Sequence, residues 1–337
     1  MTKTNAAYRA AVAPFERPSL ARASYQIVTS ACLYIATLAL MYWSLHISYL
    51  LTLVLALPAT VLTVRTFIVQ HDCGHGSFFE NKTANTVLGS LCGVLTLAPY
   101  AHWQRQHAQH HASWNNLDRR DTGVDIYSMC LTVDEYRARS PWQRFLYRLP
   151  RHPLIANFVF PPLVFLLLYR VPFDTPRDWA RERRSVWLTN IAVVALWSAL
   201  AFAFGVKGML LVQLPVVILT TIIGVWLFTV QHKFEDARWS RRENWNFADA
   251  AMHGSSYLKL PAVLHWMTGN IGYHHIHHLS PRVPNYRLAA CHNSSALLQP
   301  DQPLSLGRAL SAGNFSLWDE AAGKLVRFRD AEVPATD

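Results

Sequence analysis

The sequence predicts an all-α, polytopic membrane protein with four transmembrane helices, further re-entrant or interfacial helices, and a cytoplasmic helical cap that holds a two-metal site. Three observations predict this fold class. Of the 337 residues, 51% are hydrophobic and 15% are charged. The hydrophobic residues form long uncharged runs, and such runs beyond about 18 residues are typical of membrane spans. Finally, nine of the sixteen histidines fall in three short clusters.

The first two predicted spans share one uncharged stretch. No Asp, Glu, Lys or Arg occurs from Tyr25 to Val64. At about 1.5 Å of rise per residue, a helix of this length crosses a hydrocarbon core of about 30 Å twice. We therefore expect spans over Tyr25–Ser44 and Tyr49–Val69, preceded by a polar cytoplasmic tail of residues 1–24.

Two further apolar runs are predicted to enter the membrane without crossing it. The run Thr83–Gln104 lies between two histidine clusters, which must share one side of the membrane if they share metals. The run Pro153–Tyr169 contains Pro161 and Pro162, and a crossing there would place the last cluster on the opposite side. We expect both runs to form re-entrant or interfacial helices.

The second half of the chain supplies the remaining spans. We expect the third over Val186–Phe204 and the fourth over Met209–Val230. The membrane domain then comprises residues 25–299, and a cytoplasmic tail comprises residues 300–337. Within this tail, no apolar run is long enough to span, and Ser316–Arg329 is expected to form a short surface helix.

The distribution of charge predicts the orientation. A net charge of +10 could indicate a nucleic-acid partner, but the basic residues instead follow the positive-inside pattern. They precede the first span and follow the last, whereas the two turns expected outside hold only Lys207. Both termini and every histidine cluster are thus predicted to be cytoplasmic, with no nucleic-acid partner. The five cysteines show no CxxC pairing and are expected to be free thiols.

The histidine clusters have the spacing of metal ligands. They read HDCGH from residue 71, HAQHH from residue 107 and HHIHH from residue 274. Residues three or four apart share a helix face, so each cluster points several imidazoles one way. One zinc takes about four ligands, so this number indicates two metal ions. The predicted metal ligands are His71, His75, His107, His110, His111, His232, His274, His277 and His278.

Such a site favours an enzyme. Metal sites of this kind carry the oxygen chemistry that side chains cannot perform, and apolar helices beside one would hold a hydrocarbon chain. The residues alone therefore predict a membrane metalloenzyme that acts on a lipid. A metal transporter or haem carrier would instead place its polar ligands within the spans, along a pathway. A structural zinc site would need fewer ligands.

Longer motifs resemble the membrane fatty acid desaturase superfamily, and within it the bacterial omega-6 or Δ12-like acyl-lipid branch. Among them are RTFIVQHDCGHGSFF at residues 65–79, VQHKFE at 230–235 and GNIGYHHIHHLSPRVPNY at 269–286. The resemblance covers about residues 60–325. It implies the bacterial inner membrane, two iron ions, O₂ as co-substrate, a membrane lipid or fatty acyl substrate, and an external electron donor of the ferredoxin or cytochrome b5 type.

Desaturation is the outcome that the resemblance implies, with a cis double bond in the product, but the ligand set serves other reactions too. A membrane hydroxylase, or a fatty acid decarboxylase that forms a terminal alkene, would use the same metals. A non-catalytic metal-binding membrane protein is the remaining alternative. Open imidazole sites also accept zinc readily, so zinc could replace iron in purified protein.

Other residues near the clusters are weaker candidates. Asp72, Asp118 and Asn270 could orient the ligands by hydrogen bonding, or simply cap helices. Two positions near the second cluster depart from the pattern of the resembling family, namely His102 and Asp121, and both could alter substrate contacts. His102 itself is expected to be an ordinary surface or hydrogen-bonded histidine. Tryptophans such as Trp103 are expected to mark the membrane interface. No substrate-binding residue is assigned.

Overall fold

The computed structural model describes residues 3–120 and 129–332, and helices dominate this part of the chain. The α-helices are α1 Lys3–Val12, α2 Leu20–Ser44, α3 Tyr49–His75, α4 Lys82–Leu95, α5 Tyr100–Ser113, α6 Val133–Arg137, α7 Pro141–Arg148, α8 Phe160–Leu166, α9 Ala180–His232, α10 Phe247–Gly254, α11 Ala262–Met267, α12 His274–Leu279, α13 Asn285–Asn293, α14 Leu306–Ala309 and α15 Phe328–Glu332. The strands are β1 Leu131–Thr132, β2 Leu258–Lys259, β3 Leu304–Ser305, β4 Leu317–Asp319 and β5 Lys324–Val326.

Three of these helices, α2, α3 and α9, are long and apolar enough to cross a membrane. The number rises to five if each of two bent helix pairs counts as one span. Many of their large apolar side chains face outward; Leu50 on α3 is 71% exposed and Phe202 on α9 is 96% exposed. Apolar surface on this scale needs a lipid environment or a partner. Helix α3 runs without a break from the predicted second span into the first histidine cluster.

Helix α9 contains both the third and the fourth predicted spans. As a straight helix its 53 residues would extend about 80 Å. At Gly205, however, the backbone turns to φ 74° and ψ 152°, a conformation that only glycine adopts readily. Glu182 near the start of α9 and His232 at its end both contact the 14-residue helix α5. The two halves of α9 therefore fold back on each other, and both of its ends lie beside the histidine clusters.

The two runs that were expected not to cross are the bent helix pairs. Helices α4 and α5 meet at an angle of 103°, across a break that contains Leu97 with φ 58°. The second pair, Pro141–Arg151 with Ile155–Arg170, is bent by 49° and includes one turn of π-helix at Ile155–Val159. Bent pairs of this kind occur both in broken spans and in re-entrant segments, so the expectation that these two runs do not cross stays a prediction.

The prediction of a surface helix over Ser316–Arg329 is wrong. This segment forms the antiparallel hairpin β4–β5, and β4 also pairs in parallel with β1. Leu317, Trp318 and Leu325 are buried, and the Asp319 carboxylate closes the turn by accepting two backbone N–H groups. Strand β3 likewise pairs with β2, so the segment predicted as a tail packs against the rest of the protein.

Candidate metal centre

Four helices bring all nine predicted ligands into one region. Eight of these histidines are buried and His75 is half-buried. Helix α3 contributes its last turn, α5 its second half, α9 its last residue and α12 most of its length. The spacing explains the convergence, since residues three and four apart lie on the same helix face. The ring nitrogens form two groups.

The first group contains five histidines from three helices. Each offers one ring nitrogen, and these nitrogens all lie within 4.8 Å of one another. The closest approaches are 3.0 Å between the Nε2 atoms of His277 and His111, and 3.1 Å between those of His111 and His107. The group consists of His71, His75, His107, His111 and His277.

The second group contains His110, His232 and His278, again with nitrogens within 4.8 Å of one another. Nε2 of His232 is 3.1 Å from Nε2 of His110 and 3.0 Å from Nε2 of His274, so His274 belongs to the same region. The rings of His111 and His278 stack at 4.2 Å, which makes the two groups neighbours.

The donor set fits two metal ions. Nε2 of His71, His75 and His278 is buried and has no hydrogen-bond partner among the described residues. Burial, together with the neighbouring imidazoles, holds the pKa of His277 and His278 well below its usual range. These rings are therefore neutral at physiological pH, and their lone pairs are available to a cation. Imidazole suits iron as well as zinc.

Asp72 anchors the first group from behind. Its Oδ1 lies 3.1 Å from Nδ1 of His71, and its Oδ2 accepts hydrogen bonds from the backbone N–H and the side-chain amide of Asn285, at 2.6 and 2.8 Å. A carboxylate in this position fixes the imidazole tautomer and raises its basicity as a ligand. Asn285 was missed from the sequence, because it lies 213 residues from Asp72 and no spacing links them.

The other candidate residues lie elsewhere. The Asp118 carboxylate contacts Arg241 Nη1 at 3.0 Å and the Arg242 backbone N–H at 2.8 Å, not a histidine. Asn270 reaches the site only indirectly, by donating to the backbone oxygen of Asn285.

His275 faces away from the predicted metal ligands and lies 3.2 Å from His292. Asp121 lies outside the described residues.

Two tryptophans, one on α5 and one directly after it, also border the site. Trp103 stacks on His107 with ring centroids 4.5 Å apart and is 8% exposed, so its prediction as an interface marker is wrong. Trp114 lies with its ring centroid 4.0 Å from that of His232. The sequence held a signal for Trp103, which is four residues from His107 on the same helix and thus shares its face. Trp114 follows the end of α5, so helix spacing does not predict its position.

A cavity of about 450 Å³ opens beside the histidines. Its wall is mostly apolar, and pockets of this volume and character bind small molecules in other proteins. His107 of the first group and His110 of the second both line it. The apolar wall comes from four elements and includes Phe67, Trp103, Val164, Phe165, Val225 and Phe228.

Comparison with known proteins identifies the family. The sequence model of the fatty acid desaturases matches residues 44–306, which is most of the chain. The chain belongs to the fatty acid desaturase family. It is thus an oxidoreductase, as the motifs predicted, and the histidine groups occupy the centre of a desaturase fold that is predominantly helical.

The sequences of known desaturases align with most of this chain. A fatty acid desaturase of Bacillus subtilis is 45% identical over 318 residues, which cover 94% of this chain and 89% of the relative. An sn-1 oleoyl-lipid 12-desaturase of Synechocystis is 28% identical over 77% of this chain and 71% of its own. An sn-1 acyl-lipid omega-3 desaturase (ferredoxin) of the same genus is also 28% identical, over 66% of this chain and 61% of its own.

Proposed function

We propose that this desaturase introduces a cis double bond into a lipid-linked fatty acyl chain, at the Δ12 or omega-6 position, with O₂ and two iron ions held by the nine histidines. One observation carries the proposal. His107 from the first histidine group and His110 from the second line the same apolar cavity, so a bound chain would lie against both metal positions. The name of the 12-desaturase relative supports the position of the bond.

The residues of the chain have distinct roles in this proposal. Phe67, Phe165 and Phe228 would hold the acyl chain and exclude water from the reacting carbons. Asp72 would keep His71 oriented toward its metal ion. Two bound irons would supply the O₂ activation and the oxidising power that remove two hydrogens from neighbouring methylene groups, with water as the second product. The electrons would come from a separate donor of the ferredoxin or cytochrome b5 type.

The proposed location is the bacterial inner membrane, with both termini and the histidine clusters in the cytoplasm. The apolar surface of α2, α3 and α9 supports a membrane location. The orientation rests on the basic residues that flank these helices on one side. A soluble electron donor would reach the metal centre from that side.

The test is lipid analysis by gas chromatography–mass spectrometry of a host that expresses the chain together with a ferredoxin and contains oleoyl lipids. We expect a new diene that is lost in His277→Ala and kept in His253→Ala, because His253 is a partly exposed histidine outside the metal centre. A hydroxylated chain or a terminal alkene would identify one of the alternative reactions instead. No product with reconstituted donors and varied lipids would favour a non-catalytic protein.

A further inference from the structure

The apolar cavity has a polar mouth. It opens at the turn before α9, where Phe173 is 67% exposed and the Asp174 side chain is one-third exposed. Asp174 and Gln106 both line the cavity. Because His107 and His110 line the same cavity as Asp174, we take a chain that lies against the metal positions to leave its polar end near Asp174.

Two side chains of α5, the buried His102 and the partly exposed Gln106, hold the Asp174 carboxylate in place. Nε2 of His102 lies 3.3 Å from Oδ1, and the Gln106 side-chain amide donates to Oδ2 at 2.8 Å. His102 is only 3% exposed, so it is neither an ordinary surface residue nor free to turn away. Burial raises the pKa of Asp174, but the hydrogen bonds from His102 and Gln106 bring it below its usual range. The carboxylate is therefore ionised at physiological pH.

Among the described residues, no lysine or arginine forms an ion pair with Asp174, although Arg183 binds the backbone of the same turn. Arg183 donates to the backbone oxygens of Pro172 and Thr175, and Arg105 stacks over Trp179. Among the described residues that line the cavity, Asp174 is the one with a carboxylate and none is a lysine or arginine. The mouth thus presents a fixed negative charge to whatever polar group occupies it.

We propose that Asp174, held by His102 and Gln106, is a specificity-determining residue that rejects the ionised carboxylate of a free fatty acid and admits the same acyl chain in an uncharged ester linkage. This inference rests on the proposed function, since it takes the cavity as the acyl site. The physical basis is like-charge repulsion at a partly exposed position, which corresponds to about a fivefold difference in affinity. Hydroxyl groups on the alcohol part of an ester could also donate to the remaining lone pairs of Asp174.

Binding of a fluorescent probe tests the inference directly. The iron-loaded full-length protein in detergent at pH 9 would be titrated with a conjugated polyene fatty acid and with its methyl ester, following the emission of the polyene. We expect the ester to bind about fivefold more tightly than the acid. Asp174→Asn should strengthen binding of the acid about fivefold and leave the ester unchanged. Asp178→Asn, an exposed acid on the same turn, should change neither.

Three controls make the result specific. High salt should shrink the difference between acid and ester, because it screens exposed charges. Asp174→Glu keeps the charge and should keep the discrimination, which guards against a folding defect in the asparagine variant. Gly224→Leu places a side chain in the open cavity and should abolish binding of both probes, which shows that they occupy it.

Several outcomes would overturn the inference. For the wild type, these are equal affinities for acid and ester, or no binding of either probe. For the variants, they are an unchanged ratio of ester to acid affinity in Asp174→Asn, or a change in that ratio in Asp178→Asn as large as in Asp174→Asn. Loss of the preference for the ester in Asp174→Glu would also overturn it. Failure of the proposed function looks different. If the probes discriminate as expected but no desaturated product forms, the role of Asp174 at the mouth stands and the proposed reaction fails.

Discussion

Asp72 connects α3, which ends in the first histidine cluster, to α13, which follows the last cluster. It hydrogen-bonds His71 on α3 and accepts two hydrogen bonds from Asn285, the first residue of α13. A single buried carboxylate therefore couples the orientation of a ligand to the packing of a distant helix. This arrangement distinguishes Asp72 from Asp118, although both were equal candidates by their position near the histidine clusters.

Replacing Asp72 should weaken metal binding. We expect Asp72→Asn to lower the affinity for the metal of the first group about 10- to 100-fold, because the carboxylate that orients and polarises His71 is lost. Iron content after dialysis against graded chelator concentrations measures the effect. Asp118→Asn is the matched control and should retain wild-type iron content, since its carboxylate contacts Arg241. Equal losses in the two variants would contradict this role.

Protonation of His275 makes the free energy of unfolding depend on pH. Burial, and next the proximity of His292, lowers the pKa of His275 to about 3, whereas an unfolded chain has a histidine pKa near 6.5. Between these values the unfolded state binds the extra proton, so stability falls as pH drops through this window. We expect a loss of about 1.4 kcal/mol per pH unit from this residue below about pH 6.5. Denaturation in detergent at pH 8, 6.5 and 5.5 measures it.

The other buried histidines also make the free energy of unfolding depend on pH. A variant of His275 is therefore needed to isolate the contribution of this one side chain. His275→Gln cannot take up the proton, so its stability should decline less steeply with falling pH than that of the wild type. Identical slopes would show that His275 does not titrate on unfolding as its burial implies.

At the scale of elements, the close approach of α3 and α5 sets the shape of the site. A Cβ added at Gly74 on α3 would lie 2.8 Å from Cζ3 of Trp103 on α5. Trp103 in turn stacks on His107 and lines the cavity. The glycine thus lets a large ring pack directly behind the metal centre.

Adding one methyl group there should disturb both stability and activity. We expect Gly74→Ala to destabilise the protein by about 1–3 kcal/mol, because Trp103 must shift in a packed region. Gly313→Ala is the control, since a Cβ there meets nothing within 4 Å. Thermal unfolding of the two purified variants, with product formation alongside, measures the effect. If Gly74→Ala is as stable as the control, the ring of Trp103 can move away from the added methyl group at no cost in stability.

The elements differ in how far the sequence could predict them. The long apolar runs fixed the positions of α2, α3 and both halves of α9, because uncharged length is a strong local signal. The strands β4 and β5 have three residues each and are stabilised by pairing with each other and with β1, which no local pattern records. The nine histidines were predictable from spacing, whereas the contacts of Asp72 with Asn285 and of His102 with Asp174 join residues 213 and 72 positions apart.

For the whole molecule, the turn at Gly205 determines which parts of the chain share a side of the membrane. Both ends of α9 contact α5, so the middle of α9 lies farthest from the metal centre. If that centre is cytoplasmic, the residues next to Gly205 face the opposite side. The basic Arg242, ten residues after α9 ends, then faces the cytoplasm.

Labelling of introduced cysteines tests this topology. In intact cells, Lys207→Cys should react with a membrane-impermeant maleimide, and Arg242→Cys should react only after the membrane is permeabilised. The parent chain provides the background, since four of its five cysteines are buried and Cys32 lies on the apolar surface of α2. Labelling of Arg242→Cys in intact cells would reverse the proposed orientation.

The short helix α12 supplies a ligand to each histidine group, His277 to the first and His278 to the second. Neither group is complete until this helix has been synthesised and has packed against α3, α5 and α9. A ribosome that has produced three-quarters of the chain has therefore made no finished metal pocket. A metal ion that needs both histidine groups could therefore bind only late in synthesis, after the segments that form α2, α3 and α9 have been translated.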